Sequence, residues 1–213
     1  MPRQIHCIMI SFFQVLAFLA TGSARASDVP GWRLGTFWAV WAETNLPELP
    51  YKAVTGKLSF HNAHLTSLEL SRTIVPDFTI PTPLGNWRGH RLELAGQVVK
   101  HWGKQEHVEL TGALVWRTPD WHFSDMASVN FAYGNGLSYA LKRPRYEKGP
   151  EGIRGYHSRH LQFYILTEFE LTPASAPDWH VVLRLHHRSG IWGVISPRRT
   201  GSNYLGLGLR RDF

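Results

Sequence analysis

The chain has 213 residues, 43% of them apolar and 18% charged, a balance that excludes disorder by composition and suits one domain or two small ones. A single cysteine, Cys7, excludes a disulfide framework or a zinc ribbon, and beyond the N-terminus no apolar run reaches the roughly eighteen residues of a membrane helix. The formal charge of +7 favours an anionic partner: nucleic acid, phospholipid or lipopolysaccharide.

The first element is a targeting segment. Arg3 gives a positive start, Ile8 to Ala20 is mostly apolar, and Ala24-Arg25-Ala26 has the small-x-small form of a signal peptidase site. Residues 1–26 therefore read as a cleaved secretory signal, leaving a mature chain of 213 − 26 = 187 residues. Arg3 and Arg25 leave with it, so the formal charge becomes +7 − 2 = +5. Export argues against a nucleic-acid partner despite that charge.

Residues 27–213 read as a single domain in which the dominant period is two. The expected strands are 31–43, one long element within 51–75, 88–102, 105–117, 126–141, 158–171, 179–189 and 201–213. The element 51–75 is read as one strand, with a hairpin as the alternative. In 88–102, Leu92, Leu94, Gly96 and Val98 oppose Arg91, Glu93, Ala95 and Gln97. In 158–171, Leu161, Phe163, Ile165, Phe169 and Leu171 oppose Gln162, Tyr164, Glu168 and Glu170. Turn signals separate the elements, as at Thr118-Pro119-Asp120 and from Thr172 to Asp178.

Two architectures suit such strands. A soluble sandwich turns the apolar parity inward, and a membrane barrel turns it outward around a polar lumen. Three features favour an all-β, eight-stranded antiparallel transmembrane barrel in a bacterial outer membrane. The strands run to about ten residues, a tilted crossing of the hydrocarbon layer. The polar parity carries Glu93, Glu168 and Arg184, which a filled lumen can pair. Trp32, Trp41, Trp102, Trp116 and Trp179 lie near strand ends, as an interfacial girdle does. The chain stops on Phe213, in phase with Leu205, Leu207 and Leu209, an ending that resembles the C-terminal signal of outer-membrane barrels; Arg211 shares that phase and is expected to snorkel. With both termini periplasmic, the loop from Lys142 to Arg159 lies outside and carries six basic residues against Glu147 and Glu151. Arg188 and the last outer loop's Arg198 and Arg199 complete a candidate phosphate-binding set, since Arg forks bind phosphate bidentately; the alternative is a solvated loop surface.

Near the end of the seventh strand, His187 and Ser189 continue the outward parity of Val181, Leu183 and Leu185. Two residues apart on a strand they share a face at about 6–7 Å, a spacing at which an imidazole serves as base for a hydroxyl. The alternative is a polar strand end leaving the membrane. His122-Phe123-Ser124 repeats the spacing, but at an expected periplasmic turn.

The late His-x-Ser before the last strand, with Gly96 to Trp102, His186 to Gly190 and Gly201-Ser202-Asn203, resembles the outer-membrane lipid A 3-O-deacylase (PagL) family. The resemblance covers most of the mature chain as pattern and its last third as motif. It implies a carboxylic-ester hydrolase that removes a 3-O-linked hydroxyacyl chain from lipid A, with no metal or other cofactor. Ser189 would be the nucleophile and His187 its base, with lipopolysaccharide and outer-membrane lipid as partners. The chain departs from the family in two places. Gly190 stands where the family has Asn after the Ser, and Gly201 falls where the family has the Glu that orients the His. Asn203, in the same outward phase, is the candidate for orienting His187 or binding an oxyanion, and Glu147 or Glu151 are further candidates from the adjacent loop. The alternative function is a non-catalytic structural barrel that has lost the triad.

Overall fold

The computed structural model describes residues 31–147, 158–198 and 200–213; the expected signal segment lies outside these. Among the described residues nine antiparallel strands form one sheet: β1 (Trp32–Ala42), β2 (Phe60–Thr82), β3 (Gly85–Gly103), β4 (His107–Arg117), β5 (Trp121–Ser124), β6 (Ala127–Ala140), β7 (Leu161–Pro173), β8 (Trp179–Ser189) and β9 (Gly201–Asp212). β4 pairs with β6, and β9 with β1, which closes the sheet. β5 pairs only with the start of β6, so the closed ring has eight strands. Closure removes the unpaired edges that an open sheet would present.

Period two decides which way each side chain faces. Leu34, Trp38, Leu68, Leu94, Val98, Leu110, Leu137, Phe169, Leu183 and Leu207 stand exposed on the outer wall. Arg33, Glu69, Glu93, Arg117, Glu168, Glu170, Arg184 and Arg210 are buried inside. A wall apolar outside and charged inside is that of a membrane barrel, not of a sandwich. Trp32 and Trp179 sit exposed at the terminal end, with the guanidinium groups of Arg72 and Arg211 5.2 and 5.4 Å from their ring centres. Arg211 thus leaves the apolar wall by stacking on a neighbour. Trp41 departs from the expected girdle. Its parity is that of Phe37 and Ala39, so it faces the lumen, edge-on to Tyr146 and Tyr204 at 5.3 Å each.

In the terminal half of the lumen Arg and Glu interlock. Arg117 donates to Glu93 at 2.8 and 3.1 Å and to Glu168 at 3.2 Å. Arg33 reaches Glu170 at 2.7 Å and Asp212 at 2.7 Å. Arg184 and Arg210 both donate to Glu69, at 2.5 and 2.7 Å. Nearly every strand contributes, so the network ties the ring across its diameter. Removing one partner would leave an uncompensated buried charge, a loss of about 3–5 kcal/mol.

The expected element 51–75 is where the structure differs most. Residues 49–54 form a short helix, α1 (Leu49–Val54), preceded by a 3-10 turn over Leu46–Glu48. Pro47 and Pro50 sit in the first turns of these helices, positions where the missing N–H is not needed. The strand starts only at Phe60 and is single, running to Thr82. Beyond Arg72 it has no partner in β1 and pairs only with β3, as far as Thr82 opposite Gly85. The β2–β3 hairpin therefore projects past the terminal end of the ring.

Candidate active site

β8 carries His187 and Ser189 on its outward phase at the loop end of the barrel. His187 lies opposite Asn203 of β9 and Ile165 of β7, and Ser189 opposite Gly201 and Phe163. His187 Nδ1 is 2.6 Å from Asn203 Oδ1. The Asn203 amide nitrogen donates to the Thr44 carbonyl at 2.6 Å. A carbonyl only accepts, so the amide must turn its NH₂ to Thr44 and its oxygen to His187. That oxygen in turn requires a proton on Nδ1 and leaves Nε2 as the basic nitrogen. The tautomer a catalytic base needs is thus set by a side chain on the next strand and a backbone carbonyl from the β1–β2 loop. Asn203 thus meets His187 through its amide oxygen and Thr44 through one of its two N–H bonds. Asn203 was legible from its parity; Thr44, which acts through its main chain, left no signal in the sequence.

Ser189 Oγ accepts a hydrogen bond from the Ile191 N–H at 3.2 Å. Among the described residues no hydrogen bond joins it to His187. The backbone just beyond is unusual: Ile191 has φ of 44° and Trp192 of 48°. A β-branched residue at positive φ is an outlier that costs free energy and persists only where its surroundings enforce it. The enforcing contacts are visible. The Gly190 carbonyl accepts from Gly193, Ile195 and Ser196, and the Gly190 N–H donates to Thr200.

Both departures from the family pattern have a steric basis. A Cβ on Gly190 would lie 2.4 Å from the Ser196 carbonyl oxygen, so no side chain fits there. Gly201 has φ of +144°, and a Cβ on it would lie 2.0 Å from the Arg188 carbonyl oxygen. A Glu at that position is therefore excluded by space and by backbone conformation together.

The expected phosphate ligands separate. Arg188 is a correction: it has the even, inward parity and is 0% exposed. Its guanidinium is held by Glu147 at 2.5 Å, Ser138 at 2.8 Å and the His160 carbonyl at 3.1 Å, so it faces no ligand at the outer wall. Arg198 is exposed in the last loop, with Nε on the Trp192 carbonyl at 3.1 Å. Arg199 lies outside the described residues. Glu147 does not reach His187. It turns into the lumen, where Ser158 at 2.8 Å, Gln162 at 2.7 Å and Ser202 at 3.2 Å also donate to it, and it closes the loop end. Glu151 lies outside the described residues. Among those residues one cluster has the composition of a metal site, His101, Glu109 and His186; it faces the lumen and not Ser189.

No family model and no curated protein matches the chain. Among solved structures it is similar to the outer membrane enzyme PagL, with a TM-score of 0.53 and 12% identity over 84% of this chain and 99% of that one. Neisserial surface protein A aligns with a TM-score of 0.47 and 9% identity over 85% of this chain and 96% of that one. At 12% identity the likeness to PagL is one of fold, an eight-stranded barrel with an apolar wall, the small end of the range of outer-membrane barrels.

Proposed function

We propose that this chain is an outer-membrane ester hydrolase that removes an acyl chain from lipid A, with Ser189 as nucleophile, His187 as general base and Asn203 as the positioning residue for His187. The observation that carries the reading is the 2.6 Å contact between His187 Nδ1 and Asn203 Oδ1, backed by Thr44. In the reaction Ser189 Oγ attacks the ester carbonyl while His187 Nε2 takes the hydroxyl proton. The tetrahedral intermediate then expels the sugar hydroxyl, which regains a proton from His187, and water hydrolyses the acyl-enzyme by the same path. The products are a free hydroxy fatty acid and lipid A lacking one acyl chain.

Position supports this substrate. The His-Ser pair lies on the wall face, where acyl chains run, near the rim where headgroups begin. Trp192 and Val194, in the loop that follows Ser189, are exposed and offer an apolar lip. Lys142, Arg143, Arg145, Arg159 and Arg198 are exposed around the loop end and suit the lipid A phosphates. The 3-linked hydroxyacyl chain is the specific target that the resemblance to lipid A 3-O-deacylases suggests.

A second reading, a non-catalytic barrel, is favoured by one observation: Ser189 Oγ is engaged with the Ile191 N–H and not with His187. Nucleophile–base contacts in substrate-free enzymes are commonly long and tighten on binding. Mass spectrometry of lipid A from cells expressing wild type, Ser189→Ala or His187→Ala decides between the two. Loss of one hydroxyacyl chain with wild type alone is expected. Unchanged lipid A with all three, each folded in the outer membrane, would sink the hydrolase reading in favour of the structural barrel.

A further inference from the structure

Beneath the loop-end cap, on the lumen side, His101 of β3, Glu109 of β4 and His186 of β8 bring one ligand atom each to within 4.8 Å of one another. All three are buried. Glu109 stands between the two imidazoles, 2.7 Å from His101 Nε2 and 3.1 Å from His186 Nε2. We propose that these residues form a binding site for a transition-metal cation of the zinc type, which braces β3 and β4 against β8 across the lumen.

The donor set selects the ion. Two imidazole nitrogens and one carboxylate suit zinc-like cations, whereas calcium and magnesium take all-oxygen shells and copper(I) prefers sulfur. A tetrahedral zinc shell spaces its ligand atoms about 3.3 Å apart. The three ligand atoms, within 4.8 Å of one another, therefore need only small side-chain shifts to admit the ion, Glu109 meeting His101 through one oxygen at 2.7 Å and His186 through the other at 3.1 Å. The supporting contacts are those a metal-bound imidazole uses. His101 Nδ1 is 3.2 Å from the Tyr204 hydroxyl, to which Gln105 also donates, and Ser138 Oγ fixes the carboxylate at 2.7 Å. A histidine that binds through one nitrogen characteristically donates through the other.

Two further observations point to a missing partner. His107 stacks on His101 with ring centres 4.1 Å apart. It is 4% exposed, yet among the described residues neither of its ring nitrogens has a hydrogen-bond partner. A buried imidazole with both nitrogens unsatisfied demands an explanation, and a water in the fourth position of the metal shell, hydrogen-bonded to His107, supplies one for the nitrogen nearer the site. Charge agrees. Glu109 and Glu147 share a single guanidinium, Arg188, at 3.8 and 2.5 Å, so with both imidazoles neutral, as metal ligands must be, one negative charge is left for a cation to meet. Because the site faces inward while Ser189 faces outward, the ion is a brace and takes no part in ester hydrolysis.

The test uses the purified barrel in detergent, titrated with ZnCl₂ by calorimetry and with CoCl₂ by visible absorption. Saturable binding of one metal per chain is expected, reversible by chelator, with the intense bands of tetrahedral cobalt. Zinc should also raise the temperature at which the compact gel form converts to the slow one. The His101→Gln/His186→Gln double variant should bind at least about tenfold more weakly, while His122→Ala, exposed at the other end, binds as wild type. Variants count only when they retain the heat-dependent gel shift of a folded barrel; if the double variant does not fold, the wild-type cobalt spectrum decides alone. Absence of saturable binding by folded wild type, cobalt bands of octahedral type, or undiminished affinity in the folded double variant overturns the proposal.

Discussion

Gly201 is the residue at which family pattern and local structure collide. The orienting acid of the deacylases would stand there, and the backbone leaves no room for it: the φ of +144° and the 2.0 Å approach to the Arg188 carbonyl both require glycine. The proposed function places the orienting contact two residues along β9, at Asn203, whose outward phase the alternation already revealed. An amide that accepts from Nδ1 keeps the imidazole in the right tautomer but stabilises its protonated form less than a carboxylate does, so on the proposed function this site should be slower than one with a true acid. Restoring the family residue should not recover that rate. Gly201→Glu is expected to cost about 1–3 kcal/mol for the backbone conformation alone, and to push β8 and β9 apart at Ser189. Urea unfolding in detergent, read by the gel shift, measures the loss. A Gly201→Glu barrel of wild-type stability and raised ester hydrolysis would show that the steric argument is wrong.

Among the elements, β8 illustrates what alternation makes legible and β2 what it does not. The residues 179–189 were expected as a strand, and β8 has these bounds, because every position has one face in lipid and one in the lumen. The same period told which way His187, Ser189 and Asn203 face. It gave no account of the β1–β2 loop, where the chain leaves the wall and prolines and a short helix replace the two-residue rhythm. The expected element also ended at 75, whereas β2 runs to Thr82. In the structure Pro76 sits where the β2–β3 register shifts between Val75 and Phe78, an irregularity that tolerates a residue without an N–H. β2 beyond Arg72 has no β1 partner, so the hairpin tip lies outside the ring. Replacing residues 81–86 by an Asn-Gly turn between the paired Ile80 and Trp87 should therefore leave the heat-dependent gel shift of the barrel intact, with a stability change within about 0.5 kcal/mol, as for changes remote from core and network. Failure of this variant to close would mean that the hairpin nucleates the ring and is not an appendage of it.

The whole molecule is a wall built for lipid around an interior built of ion pairs, and the two halves of that statement were unequally visible. The outward Leu and Trp rows announce the wall. The inward charges announce only that the lumen is polar, since a water-filled pore and a packed plug have the same alternation. Geometry separates them. Glu168 receives Arg117 at 3.2 Å, Arg184 at 2.5 Å and Arg210 at 3.0 Å, so three guanidinium groups from three strands converge on one carboxylate. Nearer the cap, Tyr164 and Leu166 are fully buried, and Glu147 with Arg188 closes the loop end. Interlocked forks of this kind argue for a packed plug, and each fork, once broken, leaves a charge that the low-dielectric interior penalises. The barrel should therefore show no sustained conductance in planar lipid bilayers. Glu168→Gln, which keeps the shape but removes the charge facing three guanidinium groups, should lower unfolding stability by about 3–5 kcal/mol. A stable open current from the wild-type barrel, or a Glu168→Gln barrel that unfolds at the same urea concentration as wild type, would mean that the interior is solvated and the ion pairs are incidental to it.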